Sequence, residues 1–183
     1  MNELELKLRQ SLFAGDGGPH VGGPHGGPHD GGPHDGGSHD HGQREVPTSM
    51  RASARRLAPT GILHKELSYA IVGAAIEVHR HLGPGQLKAT YERAFAKELG
   101  YRGIAYRRQV PLTTRFKGDA VGEFYADLIV DDKVIIELKS VVAVHHVHKL
   151  QVLSYLRASG LRLGLLINFN SPVLWRAIDR IAL

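Results

Sequence analysis

Residues 122–141 read GEFYADLIVDDKVIIELKSV, and the fold turns on how this stretch pairs with itself. Two runs rich in β-branched and aromatic residues, Phe124–Val130 and Val134–Val141, flank the polar triplet Asp131-Asp132-Lys133, which is the composition of a hairpin. Three charges interrupt these apolar runs: Asp127 in the first, Glu137 and Lys139 in the second. Side chains alternate along a strand, so Glu137 and Lys139 leave the same face. Charges inside Val/Ile strands are costly to bury unless paired, hydrogen-bonded or metal-bound. One reading is structural, an ion pair of Lys139 with Asp127 or Glu137 closing the end of a core strand. The other is chemical: two carboxylates hold Mg²⁺ beside a lysine next to the attacking water.

Loop length separates the geometries available to this cluster. A two-residue loop at Asp131-Asp132 pairs Val130 with Lys133 and sets Asp127 opposite Ile136, facing away from Glu137. A three-residue loop pairs Val130 with Val134 and sets Asp127 opposite Glu137 on a common face. The alternation of both strands predicts the three-residue loop, or a bulge with the same effect. Both carboxylates and the Lys139 amine then share one face, with the Gln151 amide approaching from the next helix.

Working outward, Leu67, Ala70, Ile71, Ala74, Ala75, Val78 and Leu82 recur at three and four residues and predict a helix over 60–82. Gly83-Pro84-Gly85 ends it. A second helix is expected over 86–99, with Leu87, Tyr91, Ala94, Phe95 and Leu99 inside. Ile104–Phe116 reads as a strand whose Pro111 demands an edge position or a bulge. After the hairpin, Val144–Ala158 returns to helical period, and Leu161–Phe169 is an apolar run suited to a strand buried on both faces. Val173–Leu183 returns as a strand or short helix, with Trp175 packing it onto the sheet. The order is α-α-β-β-β-α-β, one α/β domain over 60–183 with a mixed sheet flanked by helices.

The N-terminal third has another character. Residues 1–14 are expected to form a short amphipathic helix. Residues 15–59 hold a loose GGPHD repeat with His20, His25, His29, His34, His39 and His41, too rich in glycine to bury a core and expected to be a disordered tail and linker. Such a tract either chelates Ni²⁺, Cu²⁺ or Zn²⁺ loosely or is a plain low-complexity extension. Met50, just past the tract, is an alternative start. No cysteine is present, which excludes disulfides and thiolate metal sites. No run has the length of a membrane span and the start lacks a signal-peptide core, so a cytoplasmic protein is expected. From residue 61 onward 17 Lys+Arg face 11 Asp+Glu, a charge of +6 that suits a polyanionic partner.

GPGQLKATYE, Asp127, Glu137-Leu138-Lys139, His148-x-x-Gln151-x-x-x-Tyr155 and LGLLINF occur in one order over roughly Leu67 to Arg180. In this the chain resembles the GxxExxY proteins, a branch of the PD-(D/E)XK nuclease superfamily near its RecB-like exonucleases. The resemblance implies the restriction-endonuclease-like core, with Asp127 and Glu137 as ligands of Mg²⁺ (or Mn²⁺) and Lys139 orienting or activating water. It also implies that Gln151 and Tyr155 line the site as catalytic residues, with Lys88, Tyr91 and His148 as its wall. The implied activity is a metal-dependent nuclease cutting phosphodiester bonds, with DNA expected ahead of RNA. One position departs from the pattern: Gly85 and Tyr91 are in place, but the glutamate between them is Lys88. A lysine repels a divalent cation if it points inward. Either Lys88 points to solvent and pairs with Glu92, or the site is weakened and the domain is a nucleic-acid-binding or regulatory module. Glu77 and Glu92 are the only nearby acids to stand in. Arg107 and Arg108 are candidate phosphate contacts or a solvated strand edge. His145, His146 and His148 lack the common face a zinc site needs.

Overall fold

In the computed structural model, which describes residues 62–183, the expected order holds. The expectations for 1–14, for the His tract over 15–59 and for Met50 lie outside the described residues. Helix α1 spans Lys65–Leu82 and α2 spans Lys88–Tyr101; strands β1 (Tyr106–Phe116), β2 (Asp119–Val130) and β3 (Val134–Lys139) follow. Helix α3 is His146–Ser159 and β4 is Leu163–Asn168. The C-terminal segment is both things expected of it, a 3₁₀ turn over Leu174–Ala177 and then β5, Ile178–Ala182. Trp175 packs against the core as expected. Among the described residues no helix is long and apolar enough to cross a membrane.

The five strands lie in sequence order in one mixed sheet, antiparallel except for the parallel pair β3–β4. β1 is an edge strand, which accommodates the missing N–H of Pro111. Val134, Ile136 and Leu138 of β3 face α1 and α2, while Ile135 faces α3. Burial on both faces accounts for the unbroken apolar composition of β3 and β4. Gly164 of β4 marks the close approach of α3: a Cβ there would lie 2.4 Å from Val152 Cγ1.

The hairpin loop has three residues. Val130 pairs with Val134 and Leu128 with Ile136, so Asp127 and Glu137 come next on the two strands. Asp131 and Asp132 adopt φ of 51° and 49°, a left-handed conformation that aspartate tolerates better than most residues. Lys133 N–H closes the turn on the Val130 carbonyl at 3.0 Å.

One level of the sheet departs from simple alternation. Tyr106, Leu128 and Val130 pack with α1 and α2, whereas Val110, Leu112, Phe124 and Ala126 pack with α3. All are even-numbered, and regular strands would keep paired sets on one face. The switch falls between the pairs Arg108↔Leu128 and Val110↔Ala126. Gln109 occupies that level on β1 with φ 47°, and Asp127 occupies it on β2. Beyond it β2 pairs only with β1, and the two continue as a two-stranded ribbon.

Candidate functional site

At the level where β2 parts from β3, the Asp127 side chain takes over from the ladder. Its Oδ2 accepts the Leu138 N–H at 2.8 Å, so the carboxylate ties the two strands where backbone pairing ends. Asp127 and Glu137 are both almost fully buried. Lys139 donates to Glu137 Oε1 at 2.7 Å and to Gln151 Oε1 at 3.0 Å. The Gln151 amide in turn donates to the Tyr155 hydroxyl at 2.7 Å, one turn along α3. The Tyr155 ring stacks on Phe124 with centroids 4.8 Å apart. Asp127, Glu137, Lys139, Gln151 and Tyr155 thus converge from three elements, and the Gln151 amide arrives from α3.

A fourth element, α2, contributes Lys88, which points inward. Its Nζ lies 2.8 Å from Asp127 Oδ1 and 4.0 Å from Glu137 Oε1. Of the two alternatives for Lys88, the one in which it turns to solvent and pairs with Glu92 is corrected. Glu92 instead accepts Arg108 on Oε1 (2.9 Å) and Gln109 on Oε2 (3.0 Å), which leaves Lys88 to the buried carboxylates. Lys88 is the first residue of α2, where a cation opposes the helix dipole and no acid lies in the first turn. Asp127 supplies the compensating charge. The approach is set by the loop before α2: Ser140, just after β3, donates to the Gln86 carbonyl at 2.7 Å, and Gly85 N–H bonds Asn170 Oδ1 at 3.1 Å.

Burial pushes the Glu137 carboxyl above its ordinary range; the nearby Asp127 charge adds to this, and Lys139 and Lys88 oppose it. Tyr155 is raised mainly by burial and then by the Glu137 charge. His148 is lowered, first by desolvation and then by the Lys139 and His145 charges. The His148 Nδ1 accepts the His145 N–H at 3.1 Å and caps α3.

Other expected residues have different surroundings. Tyr91 is wholly buried, stacked on Phe169 at 4.6 Å, with its hydroxyl donating to the Gly83 carbonyl and accepting from Gln86 N–H. It shapes the loop that aims Lys88 and does not wall the carboxylates. Arg107 is held by Asp132 at 2.6 Å and Arg108 by Glu92, so both guanidiniums are committed to carboxylates. Glu77 pairs with Arg80 and His81 on α1. Gln109 escaped the sequence reading altogether, since nothing in Arg-Arg-Gln-Val-Pro announces a left-handed residue in a strand.

The residues as placed do not fit a divalent cation. Mg²⁺ takes near-octahedral oxygen ligation, and among the described residues no three or more His, Cys, Asp or Glu are grouped so as to hold a metal ion. An ammonium already stands beside the two carboxylates, and Asp127 Oδ2 is spent on Leu138. One group is left over: Glu137 Oε2 is buried without a hydrogen-bond partner.

Asp127, Glu137 and Lys139 thus sit on one β-hairpin, backed by Gln151 and Tyr155 from the next helix. The family model of the PD-(D/E)XK nuclease superfamily matches residues 65–181, nearly all of the described part. No curated protein and no solved structure matches significantly. The mixed sheet between helices is the restriction-endonuclease-like fold of that group, and this chain belongs to the PD-(D/E)XK nuclease superfamily.

Proposed function

We propose that this domain engages nucleic acid at the Asp127–Glu137–Lys139 centre, and that Lys88 holds the centre in a state that disfavours metal-dependent cleavage. The observation that carries this reading is the 2.8 Å contact of Lys88 Nζ with Asp127 Oδ1. Nucleases of the superfamily typically use divalent metals, and the two carboxylates would be the ligands. Here the internal cation supplies the countercharge, so Mg²⁺ or Mn²⁺ gains little by entering. Lys139 and Lys88 together present two ammonium groups to a phosphodiester, while Gln151, held by Lys139 and Tyr155, orients the wall. In this reading the protein is a GxxExxY-type, RecB-like member turned towards binding or regulation, acting in the cytoplasm and on DNA ahead of RNA.

A second reading is favoured by Glu137 Oε2, the buried carboxylate oxygen without a partner. The Lys88 side chain is 41% exposed and sits on a flexible stem. Its withdrawal would free Asp127 Oδ1 beside Glu137 and give a metal-dependent nuclease, in which the metal would supply Lewis acidity to the scissile phosphate.

Calorimetric titration with Mg²⁺ and Mn²⁺, and cleavage of single- and double-stranded DNA and RNA, separate the two. Negligible metal binding and cleavage by wild type, with both appearing in Lys88→Glu, supports the lysine-closed centre. Tight metal binding and turnover by wild type overturns it in favour of the second reading.

A further inference from the structure

Several cations of the domain are paired with its own acids. Arg107, Arg108, Lys88 and Lys139 all have carboxylate partners. Two cations with no acid partner among the described residues, Arg115 and Arg157, lie where α3 crosses the β1–β2 ribbon. There a groove of about 380 Å³ is lined by Pro111, Leu112, Thr113 and Arg115 of β1 and by Arg157 and Ala158 of α3. No acid lines it. Arg115 gives one N–H to the Gly118 carbonyl, 2.9 Å away, and has no carboxylate partner among the described residues. Arg157 makes no ion pair or side-chain hydrogen bond among the described residues.

A relay of contacts links the groove to the centre. Leu112 in its floor pairs with Phe124, whose ring stacks on Tyr155, and Tyr155 bonds the Gln151 that holds Lys139. Phe124 is three residues from Asp127 along β2, roughly 10 Å at the rise of a strand.

We infer that this groove is a second subsite, in which Arg115 and Arg157 clamp the phosphodiester backbone of a nucleic acid whose nearby segment lies at the carboxylate centre. The inference rests on the nucleic-acid reading above. Two guanidiniums facing an acid-free groove match phosphate oxygens through paired N–H donors. The Thr113 hydroxyl adds a neutral donor of the kind that positions a backbone without reading sequence. The ribbon extends the surface, for beyond Arg115 the exposed Phe116 ring carries the Lys117 ammonium 5.5 Å from its centroid. A bare ring beside cations is a platform on which an unpaired base stacks.

The test measures binding of fluorescein-labelled single-stranded and duplex DNA to the full chain across a KCl series. It compares wild type, Arg115→Ala/Arg157→Ala and, as a control, Arg93→Ala, a cation of α2 that bonds its own helix carbonyl at Ala89. The expected result is a roughly tenfold loss of affinity in the double variant and a salt slope shallower by about two, with Arg93→Ala unchanged. Wild-type binding that the double variant retains in full overturns the subsite and leaves the reading of the centre standing. An equal loss in Arg93→Ala shows diffuse charge and also overturns the subsite. Absence of nucleic-acid binding by wild type overturns the subsite and the reading it rests on together.

Discussion

Lys88 Nζ lies 2.8 Å from Asp127 Oδ1 but 4.0 Å from Glu137 Oε1, so the inward lysine is primarily the partner of the aspartate. Glu137 is left to Lys139, at 2.7 Å. The centre is therefore two neighbouring ion pairs rather than a vacant acid cluster, and its response to substitution follows from that pairing.

Lys88→Glu places a third carboxylate beside two that are already buried. In chelator it should melt several degrees below wild type, a loss of about 1–2 kcal/mol once the partial exposure of Lys88 is allowed for. MgCl₂ or MnCl₂ should restore the melting temperature of the variant and leave wild type unmoved. Scanning calorimetry with and without metal checks this, and a variant indifferent to metal would contradict it.

Lys88→Met removes one of the cations that oppose the upward shift of Glu137. The Glu137 carboxyl should titrate higher than in wild type, read by ¹³C NMR of the side-chain carboxyl. A carboxyl raised in the folded state binds more protons there than in the unfolded chain, so its contribution to stability is greatest below the unfolded value and falls as pH rises through the folded one. The deficit of the variant relative to wild type should thus widen as pH climbs from about 4.5. A deficit that narrows over that range would show that Lys88 does not act on Glu137.

Gln109→Val should destabilise by about 2–4 kcal/mol. It puts a β-branched residue at φ 47° and leaves buried Glu92 Oε2 without its 3.0 Å donor. Gln109→Gly loses the donor and relieves the backbone, so it should cost less. Urea denaturation of the pair gives the order, and equal losses would mean the backbone conformation carries no strain.

Gly164→Ala should cost about 1–3 kcal/mol, because its Cβ would lie 2.4 Å from Val152 Cγ1. Val152→Ala in the same chain should recover part of that loss, although alone it opens a cavity. Additive losses in the double-variant cycle would place the strain elsewhere.

The sequence by itself determined the hairpin and its neighbours. The two apolar runs and the polar triplet between them defined the hairpin, and the three-residue loop, one of the two ways the charges could share a face, brings Asp127 to the level of Glu137. The stripe Ile71, Ala74, Ala75, Val78 defined a helix and its buried face, and Pro111 marked the edge strand. These features are local, since they follow from residue spacing and from backbone groups a few positions apart. Only the tertiary structure decided where the long charged side chains go. Lys88 and Glu92 share a helix face and look like a pair in sequence, yet each finds a partner on another element: Asp127 for the lysine, Arg108 and Gln109 for the glutamate. Arg107 and Arg108 look like a basic edge and are neutralised by Asp132 and Glu92, while Arg115 and Arg157, far apart in sequence, meet across one groove. A flexible cation is oriented by the summed field and desolvation of groups brought together by folding, and no spacing along the chain encodes that sum.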